Sequence, residues 1–476
     1  MREKISLNGA KNIHFIGIGG ISMSGLAEIL NRDGFNVSGS DDVESEITKR
    51  LSSLGIKISI PNAAENISDK IDMVIYTAAV KANNPEFRAA QEKGIQLVER
   101  AAFIGTILKD YEFPICVAGS HGKTTTTSMV AEVTLSAGLD PTISIGGHMN
   151  NGGMNYRVGD SSYFVLEACE YSNSFHHWHP QVGIILNIDA DHLDFFGSME
   201  NLIAAFGKFA SNIRKEGALI IRAGVEGFDT VTREANCEII TFGLQESGAR
   251  FTPRNINYKE GKPSFDIFDG ENFLAHVDLP LPGEYNMLNA LACFAAAFQL
   301  KIPTETTANA LSNVQGTKRR FEHKGLYNGI KIIDDYAHHP TEIRSCLAAA
   351  RQSINDSNTC GKLVCLFQPH TYTRTKNLLH DFAKSFTDAD KVILLPIYAA
   401  REAYDPEISS EMLAKLIKDE GNDVTFIENF DKTGNYLKET LKPNDMLITM
   451  GAGDVYKVGE ELLRTALSTL STGCGE

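Results

Sequence analysis

Cys116-Val117-Ala118-Gly119-Ser120-His121-Gly122-Lys123-Thr124-Thr125-Thr126-Thr127 is the stretch on which the fold turns. An apolar run, Ile115–Ala118, enters a turn bounded by two glycines, then Lys-Thr, then a helical stretch ending near Gly138. Strand, glycine turn and helix in that order make a cradle for phosphate. Backbone N–H groups and the positive helix N-terminus face phosphate oxygens, a lysine reaches the terminal phosphates, and a hydroxyl reaches Mg²⁺. Gly119, Ser120, His121, Gly122, Lys123, Thr124 and Thr125 are therefore the expected nucleotide-binding residues. Val117 stands where the commonest form of the pattern has its first glycine, five positions before Gly122.

The bulk of the chain narrows the partners. Its 476 residues suffice for about three domains. Sixty acidic against 45 basic residues leave a net charge of −15, which argues against nucleic acid or an anionic membrane surface as the main partner. Eight cysteines (116, 169, 237, 293, 346, 360, 365 and 474) show no Cys-x-x-Cys spacing. They suggest free thiols in a reducing compartment rather than a disulfide framework or a zinc ribbon. The apolar run Ile13–Ile18 is too short, and too soon followed by glycines, for a signal peptide, and no apolar stretch approaches a membrane span. A cytoplasmic protein without membrane insertion is expected.

Three α/β blocks follow one another. Ile13–Gly17, Asn36–Ser40 and Asp72–Thr77 read as strands of the first, with a helix over 20–33 closed by Gly34. Ile115–Ala118, Tyr163–Leu166 and Val182–Leu186 belong to the second. Lys331–Ile333, Leu363–Phe367, Val392–Leu395 and Met446–Thr449 belong to the third. Most of these strands run into clusters of Asp, Glu, His or Gly, and open α/β sheets bind ligands beyond the carboxyl ends of their strands. Three domains facing a shared cleft are expected. Between about 238 and 282, alternating runs flank Asp269-Gly270, a hairpin signal that reads as an antiparallel insertion.

Several clusters carry chemistry. Gly17-Ile-Gly19-Gly20-Ile-Ser22-Met-Ser-Gly25 follows a strand and precedes a helix, and Asp41 lies 22 residues beyond Gly19. Such glycines let a pyrophosphate approach the backbone, and the acid can meet a ribose. A dinucleotide cofactor is one reading. A nucleotide-diphosphate substrate accounts for the second phosphate loop as well. Glu167 and the segment Asp189-Ala-Asp191-His192-Leu-Asp194 end two strands, and hard oxygen ligands there suit Mg²⁺. Ser174-Phe-His176-His177-Trp178-His179 lacks the helical spacing of a zinc pair and reads as a surface or packed cluster. Asn286 and Asn289 share one helix face, where a carboxamide can read an adenine edge or merely cap the helix. Lys318-Arg319-Arg320 offers cations for phosphoryl charge, or a solvated surface triplet.

Taken in order, these segments resemble the Mur ligase family of peptidoglycan synthesis. The likeness extends through Lys318-Arg-Arg-Phe-Glu322, Asp334-Asp-Tyr-Ala-His-His-Pro-Thr-Glu342, Phe367-Gln-Pro-His370 with Tyr372-Thr-Arg374-Thr, and Gly451-Ala-Gly-Asp454. It implies an N-terminal Rossmann-like UDP-substrate domain (1–112), a central P-loop ATPase domain with a small antiparallel insertion (113–321), and a Rossmann-like C-terminal domain (322–476) that closes over the site. The implied reaction is ATP-dependent amide formation. ATP phosphorylates the lactyl carboxylate of UDP-N-acetylmuramate, and L-alanine attacks the acyl phosphate. A sister activity, joining a recycled tripeptide to the same sugar nucleotide, is the alternative.

The resemblance also assigns roles. Lys123 holds the transferring phosphate, Thr124 and Glu167 bind one Mg²⁺, and His192 ligates a second. Asn289 contacts adenine, Arg320 a phosphate, and Asp335 a ribose. Gly17, Gly19, Gly20, Ser22 and Asp41 take the sugar nucleotide, while His339, His370 and Arg374 lie near the muramoyl group or the amino acid. A monomer or homodimer is expected. The chemistry is coherent, because a carboxylate repels an amine until phosphorylation supplies a leaving group, and cations offset the charge on the transferred phosphoryl. Two residues depart from the family pattern: Thr371, where many relatives carry arginine, and Cys169, where many carry a carboxylate.

Overall fold

The structure of the protein, a computed structural model, describes residues 4–149, 155–357 and 360–472. Cys474 lies outside them, and the seven described cysteines are free thiols. By its internal contacts the chain divides into two compact units. The first comprises Met1–Thr252, Asp269–Asn272 and Ala290–Ala310, and the second Pro253–Phe268, Phe273–Asn289 and Leu311–Glu476.

The first unit opens on a parallel sheet of β1 (Asn12–Ile16), β2 (Asn36–Ser40), β3 (Lys57–Ser59), β4 (Met73–Tyr76) and β5 (Gln96–Glu99), ordered β3-β2-β1-β4-β5. A second sheet uses β6 (Phe113–Ala118), β7 (Thr142–Ser144), β8 (Tyr156–Arg157), β9 (Tyr163–Glu167), β10 (Val182–Ile185), β11 (Ala218–Arg222) and β12 (Glu238–Phe242). Their order is β12-β11-β10-β6-β9-β7-β8, parallel except for the edge strand β8. β6 and β10 are wholly apolar apart from a glycine and a proline and are buried almost throughout, as strands covered on both faces must be.

One apolar core runs through both sheets of this unit, from Phe15 and Phe103 to Phe206 and Phe209. In the His176–His179 segment Trp178 packs into this core beside Phe175, while His177 and His179 are exposed. The indole Nε1 of Trp178 donates to the carbonyl of Ala101 at 3.0 Å. The ring of His176 stacks on Phe175 and reaches Ala205 O at 2.9 Å. Gly105 is needed opposite it, since a Cβ there would stand 2.2 Å from the carbonyl oxygen of His177. Arg214 completes the junction by donating to the carbonyls of Leu108, Tyr111 and Glu112.

β13 (Phe251–Lys259), β14 (Lys262–Asp269) and β15 (Asn272–Asp278) follow as neighbours. Two-residue connections between them allow only antiparallel pairing. The Asp269-Gly270 signal thus falls at the β14–β15 turn, where Gly270 has φ +58°.

The sheet of the second unit contains β16 (Glu322–Tyr327), β17 (Ile330–Asp335), β18 (Leu363–Phe367), β19 (Lys391–Leu394), β20 (Val424–Phe426) and β21 (Met446–Met450). Its order is β16-β17-β21-β18-β19-β20, with β16 alone antiparallel. Alternate residues of β18 feed opposite cores. Cys365 and Phe367 meet Ile343 and Leu347 on one face, while Val364 and Leu366 meet Val458 and Leu462 on the other. In both units the carboxyl ends of the parallel strands carry the residues singled out from sequence.

Candidate active site

The phosphate loop forms as its composition dictates. β6 delivers the chain to Gly119 at φ +139° and Gly122 at φ +82°, and the helix Lys123–Ser136 starts directly after. Glycine is required at 119, where a Cβ would lie 3.1 Å from Leu186 Cβ and 3.2 Å from Asn187 N. The end of β10 braces the loop. Ser120 N donates to Asn187 O and His121 N to Asn187 Oδ1, at 3.1 and 2.7 Å. Asp189 N donates to Ser120 Oγ at 2.9 Å, and its carboxylate lies 3.0 Å from His121 Nε2. Asp189, part of the acidic segment read as a candidate source of hard-oxygen ligands, is thus drawn to the loop.

Lys123 sits at the helix N-terminus with its ammonium directed back under the loop. It donates to Gly119 O at 2.6 Å and Ser120 O at 3.1 Å, and pairs with both oxygens of Glu170 at 2.9 and 3.1 Å. Burial works against its charge, but the carboxylates of Glu170 and Glu167 prevail and hold it firmly protonated, its pKa raised. Glu170, buried at 1% side-chain exposure, has no role assigned from sequence. Its place three residues past the end of β9, the strand paired with the phosphate-loop strand β6, was the available signal.

Glu167 ends β9 beside Val117 of β6 and accepts the N–H of Gly146 at 2.8 Å. Gly146 and Gly147 have room for no side chain. A Cβ on the first would lie 2.8 Å from Glu167 Oε1, and on the second 2.9 Å from Thr124 Cγ2. One Gly-Gly pair therefore lies against both the carboxylate and the threonine. His192, at φ +55°, heads the short helix Leu193–Phe196, with its ring 5.0 Å from that of Tyr171.

The N-terminal glycine loop is tied to the end of β2. Gly17 N and Ile18 N both donate to Ser40 O at 2.9 Å, and Gly19 N to Asp41 Oδ2 at 2.8 Å. A Cβ on Gly19 would stand 2.7 Å from that same oxygen. Ser22 Oγ meets Arg100 Nη1 at 3.3 Å, which places at the loop a cation that sequence reasoning did not single out.

In the second unit Asp335 gathers the basic segment. Its buried carboxylate accepts from Phe321 N and Ala337 N, each at 2.7 Å. Burial lifts its pKa to about 6, with Arg320 and the two N–H groups opposing. Arg319 pairs with buried Asp334 and donates to Gly451 O, while the Arg320 guanidinium lies 5.1 Å over the ring of Tyr336. His339 caps the helix Pro340–Asp356 and shares a capping box with Glu342. His370 stacks on Tyr398, its ring 5.8 Å from His338, and burial chiefly, with Arg374, lowers its pKa. Arg374 lies on the helix Tyr372–Asn377 that Thr371 caps, at φ +64°. Asn289 is buried and donates to Asn286 Oδ1 at 3.4 Å, while Asn286 Nδ2 holds Pro282 O at 2.7 Å. Asn286, inside the first turn of the helix Glu284–Gln299, thus donates back to the chain before the helix and makes no N-cap bond, and Asn289 lies next to it on the same face.

A phosphate loop, a strand-end glutamate and a second glycine loop on parallel sheets define a nucleotide-binding α/β architecture, and three family profiles give its class as a ligase. They are the "Mur ligase family, catalytic domain" over residues 12–112, the "Mur ligase middle domain" over 117–297, and the "Mur ligase, glutamate ligase domain" over 319–453. The chain belongs to the Mur ligase family. It is 47% identical over 466 residues to the UDP-N-acetylmuramate–L-alanine ligase of Acetivibrio thermocellus, covering 97% of this chain and 98% of that one. The enzyme of the same name from Lachnospira eligens is 46% identical, with 97% and 100% covered. Among solved structures, the UDP-N-acetylmuramate-alanine ligase of Thermotoga maritima superposes with a TM-score of 0.78 at 30% identity, over 96% of this chain and 99% of that one. No helix among the described residues is long and apolar enough to cross a membrane.

Proposed function

We propose that this chain joins L-alanine to the lactyl carboxylate of UDP-N-acetylmuramate at the expense of ATP, in peptidoglycan precursor synthesis. The observation that carries the reading is the 47% identity, over nearly the full length of both chains, to a ligase of that name. The same likeness favours L-alanine over the recycled tripeptide as the acceptor. A division into three domains at 112/113 and 321/322 goes with this reading; the first two family profiles lie on either side of 112/113, and the third begins at residue 319, three residues before the second boundary.

The residues fit their proposed parts. Lys123, held protonated, supplies a positive charge and a hydrogen-bond donor for the transferring phosphoryl, and Arg320 offsets the same charge. Thr124 and Glu167 provide a hydroxyl and a carboxylate against one Gly-Gly pair that leaves no space for a side chain, a hard-oxygen set suited to Mg²⁺, with His192 for a second cation. Such a cation, when bound, neutralises charge on the phosphate oxygens. Gly17, Gly19, Gly20, Ser22 and Asp41 receive the sugar nucleotide. Asn289 and Asp335 hold the adenosine part of ATP, and His339, His370 and Arg374 the muramoyl group or the amino acid. The working compartment is the cytoplasm.

Phosphate release with ATP and Mg²⁺ tests the reading, with UDP-N-acetylmuramate present and L-alanine or the tripeptide supplied in turn. Release dependent on both the sugar nucleotide and L-alanine is expected. Release with the tripeptide alone would move the chain to the recycling activity, and none at all would remove the enzyme assignment.

A further inference from the structure

A charged cluster lies wholly inside the first unit beneath the glycine loop, and nothing in the proposed reaction uses it. Glu86, in the first turn of the helix Pro85–Glu92, is 0% exposed, and His14 of β1 is 1% exposed. Four groups converge on the Glu86 carboxylate. Oε2 meets Ser40 Oγ at 2.5 Å and His14 Nε2 at 3.3 Å, while Oε1 meets Asn66 Nδ2 at 2.6 Å and Ala63 N at 3.2 Å. The other His14 nitrogen, Nδ1, lies 2.9 Å from Ser38 Oγ. A carboxylate buried this deeply is retained only where donors replace its lost water, and here every neighbour can donate.

The link to function runs through Ser40. Its hydroxyl is held by Glu86, and its carbonyl accepts both Gly17 N and Ile18 N. The next residue, Asp41, accepts Gly19 N. Three consecutive N–H groups of the glycine loop are thus set by two residues at the end of β2, and the side chain of the first is fixed by Glu86. We infer that Glu86, with His14, is a positioning residue for the sugar-nucleotide site: it fixes the end of β2, and through it the glycine loop, without touching substrate. This inference rests on the proposed function only in taking that loop as the seat of UDP-N-acetylmuramate.

A carboxylate accepts from all four groups at once. A glutamine at 86 has one carbonyl and one NH₂, and since Asn66 Nδ2 and Ala63 N can only donate, its NH₂ must face Ser40 and His14, where the hydroxyl and the imidazole would have to accept. Glu86→Gln therefore reverses the Ser40 bond and forces one His14 tautomer. Ser40→Ala removes one hydroxyl and keeps the carbonyl that the loop uses, so it probes the same link with little risk to folding.

The test is titration calorimetry of both variants and the wild-type chain, with UDP-N-acetylmuramate and, separately, ATP with Mg²⁺. A roughly tenfold weaker sugar-nucleotide Kd in each variant is expected, the effect of one misplaced hydrogen-bonding group, with the ATP Kd within twofold of wild type. In turnover assays the same split should appear as a raised KM for the sugar nucleotide at nearly unchanged kcat. Unchanged sugar-nucleotide affinity in Ser40→Ala overturns the inference, as does equal weakening of ATP, which marks a general structural loss. Failure of the wild-type chain to bind UDP-N-acetylmuramate overturns the functional reading instead.

Discussion

Replacing Lys123 by methionine should separate what the lysine does for the fold from what it does for the reaction. Its ammonium is 2.9 and 3.1 Å from the two Glu170 oxygens, and the side chains are 13% and 1% exposed. At an effective dielectric near 20, opposite charges at that distance attract by about 5 kcal/mol. Most of this is offset by desolvation, but removing one partner strands the other, which costs about 3–5 kcal/mol for a buried pair. Lys123→Met leaves the Glu170 carboxylate buried without a cation, so a loss of about 3 kcal/mol is expected, or about 6–12 °C in the melting of a unit of this size. Trp178, the only tryptophan of the chain, lies buried in the same unit and reports that melting by fluorescence. Turnover should fall at least about 10²–10³-fold, the effect of losing one charge-stabilising donor. Adding Glu170→Gln to Lys123→Met removes the stranded charge, so the double variant should recover most of the stability and none of the turnover. A double variant no more stable than the single one would refute the ion-pair account, and wild-type turnover in either would refute the role of Lys123.

Asp335 gives a prediction about pH. Burial raises its carboxyl from 3.8 to about 6, so the folded chain binds that proton more tightly than the unfolded chain. Its contribution to stability is complete below about pH 4 and is lost as pH rises through about 6, a fall of about 3 kcal/mol. Calorimetric unfolding between pH 4 and 7 should show this slope, and Asp335→Asn should flatten it; an equal slope in the variant would contradict the assignment. Gly119→Ala places a Cβ within 3.1 Å of Leu186 at a φ of +139°. Strain of about 1–3 kcal/mol should appear as an ATP Kd weakened roughly tenfold, with the sugar-nucleotide Kd unchanged, and wild-type ATP affinity would show that the loop tolerates a side chain there.

The sequence made the two glycine loops legible because each obeys a local rule. A strand that ends in glycines and opens a helix forms in the same way in any context, and Gly17–Gly20 and Gly119–Gly122 do so here. Short strands without such an ending escaped notice, as with Lys57–Ser59, Thr142–Ser144 and Tyr156–Arg157, whose pairing is decided by neighbours distant in sequence. The same limit applies to side chains. Glu167 and Lys123 carry motif signals, but Glu170, Glu86 and Arg100 gain their meaning only from partners 47, 46 and 78 residues away. The spacing of the histidines at 176–179 spoke against a zinc pair, but local spacing alone cannot show that Trp178 and His176 turn towards Ala101 and Ala205.

One construction recurs among the segments assigned to ligands. The glycine loop after β1 is fixed by Ser40 and Asp41 at the end of β2, and the phosphate loop after β6 by Asn187 and Asp189 just past β10. The basic segment Arg319–Phe321 is also held by Asp335 at the end of β17, here as it enters the antiparallel edge strand β16 rather than as it leaves a parallel neighbour. In parallel sheets neighbouring strands end side by side, so an acid or amide just past one strand reaches the loop leaving the next. Backbone groups set in advance lose little freedom when a ligand arrives, and that saving appears in affinity. The polar residues at strand ends therefore fall into two kinds that look alike in sequence. Some are proposed to meet ligand, and others hold the backbone of the loops; Ser40 and Asn187 belong to the second kind, which is why their substitution should alter binding of one ligand while leaving the chemical step to Lys123 and its partners.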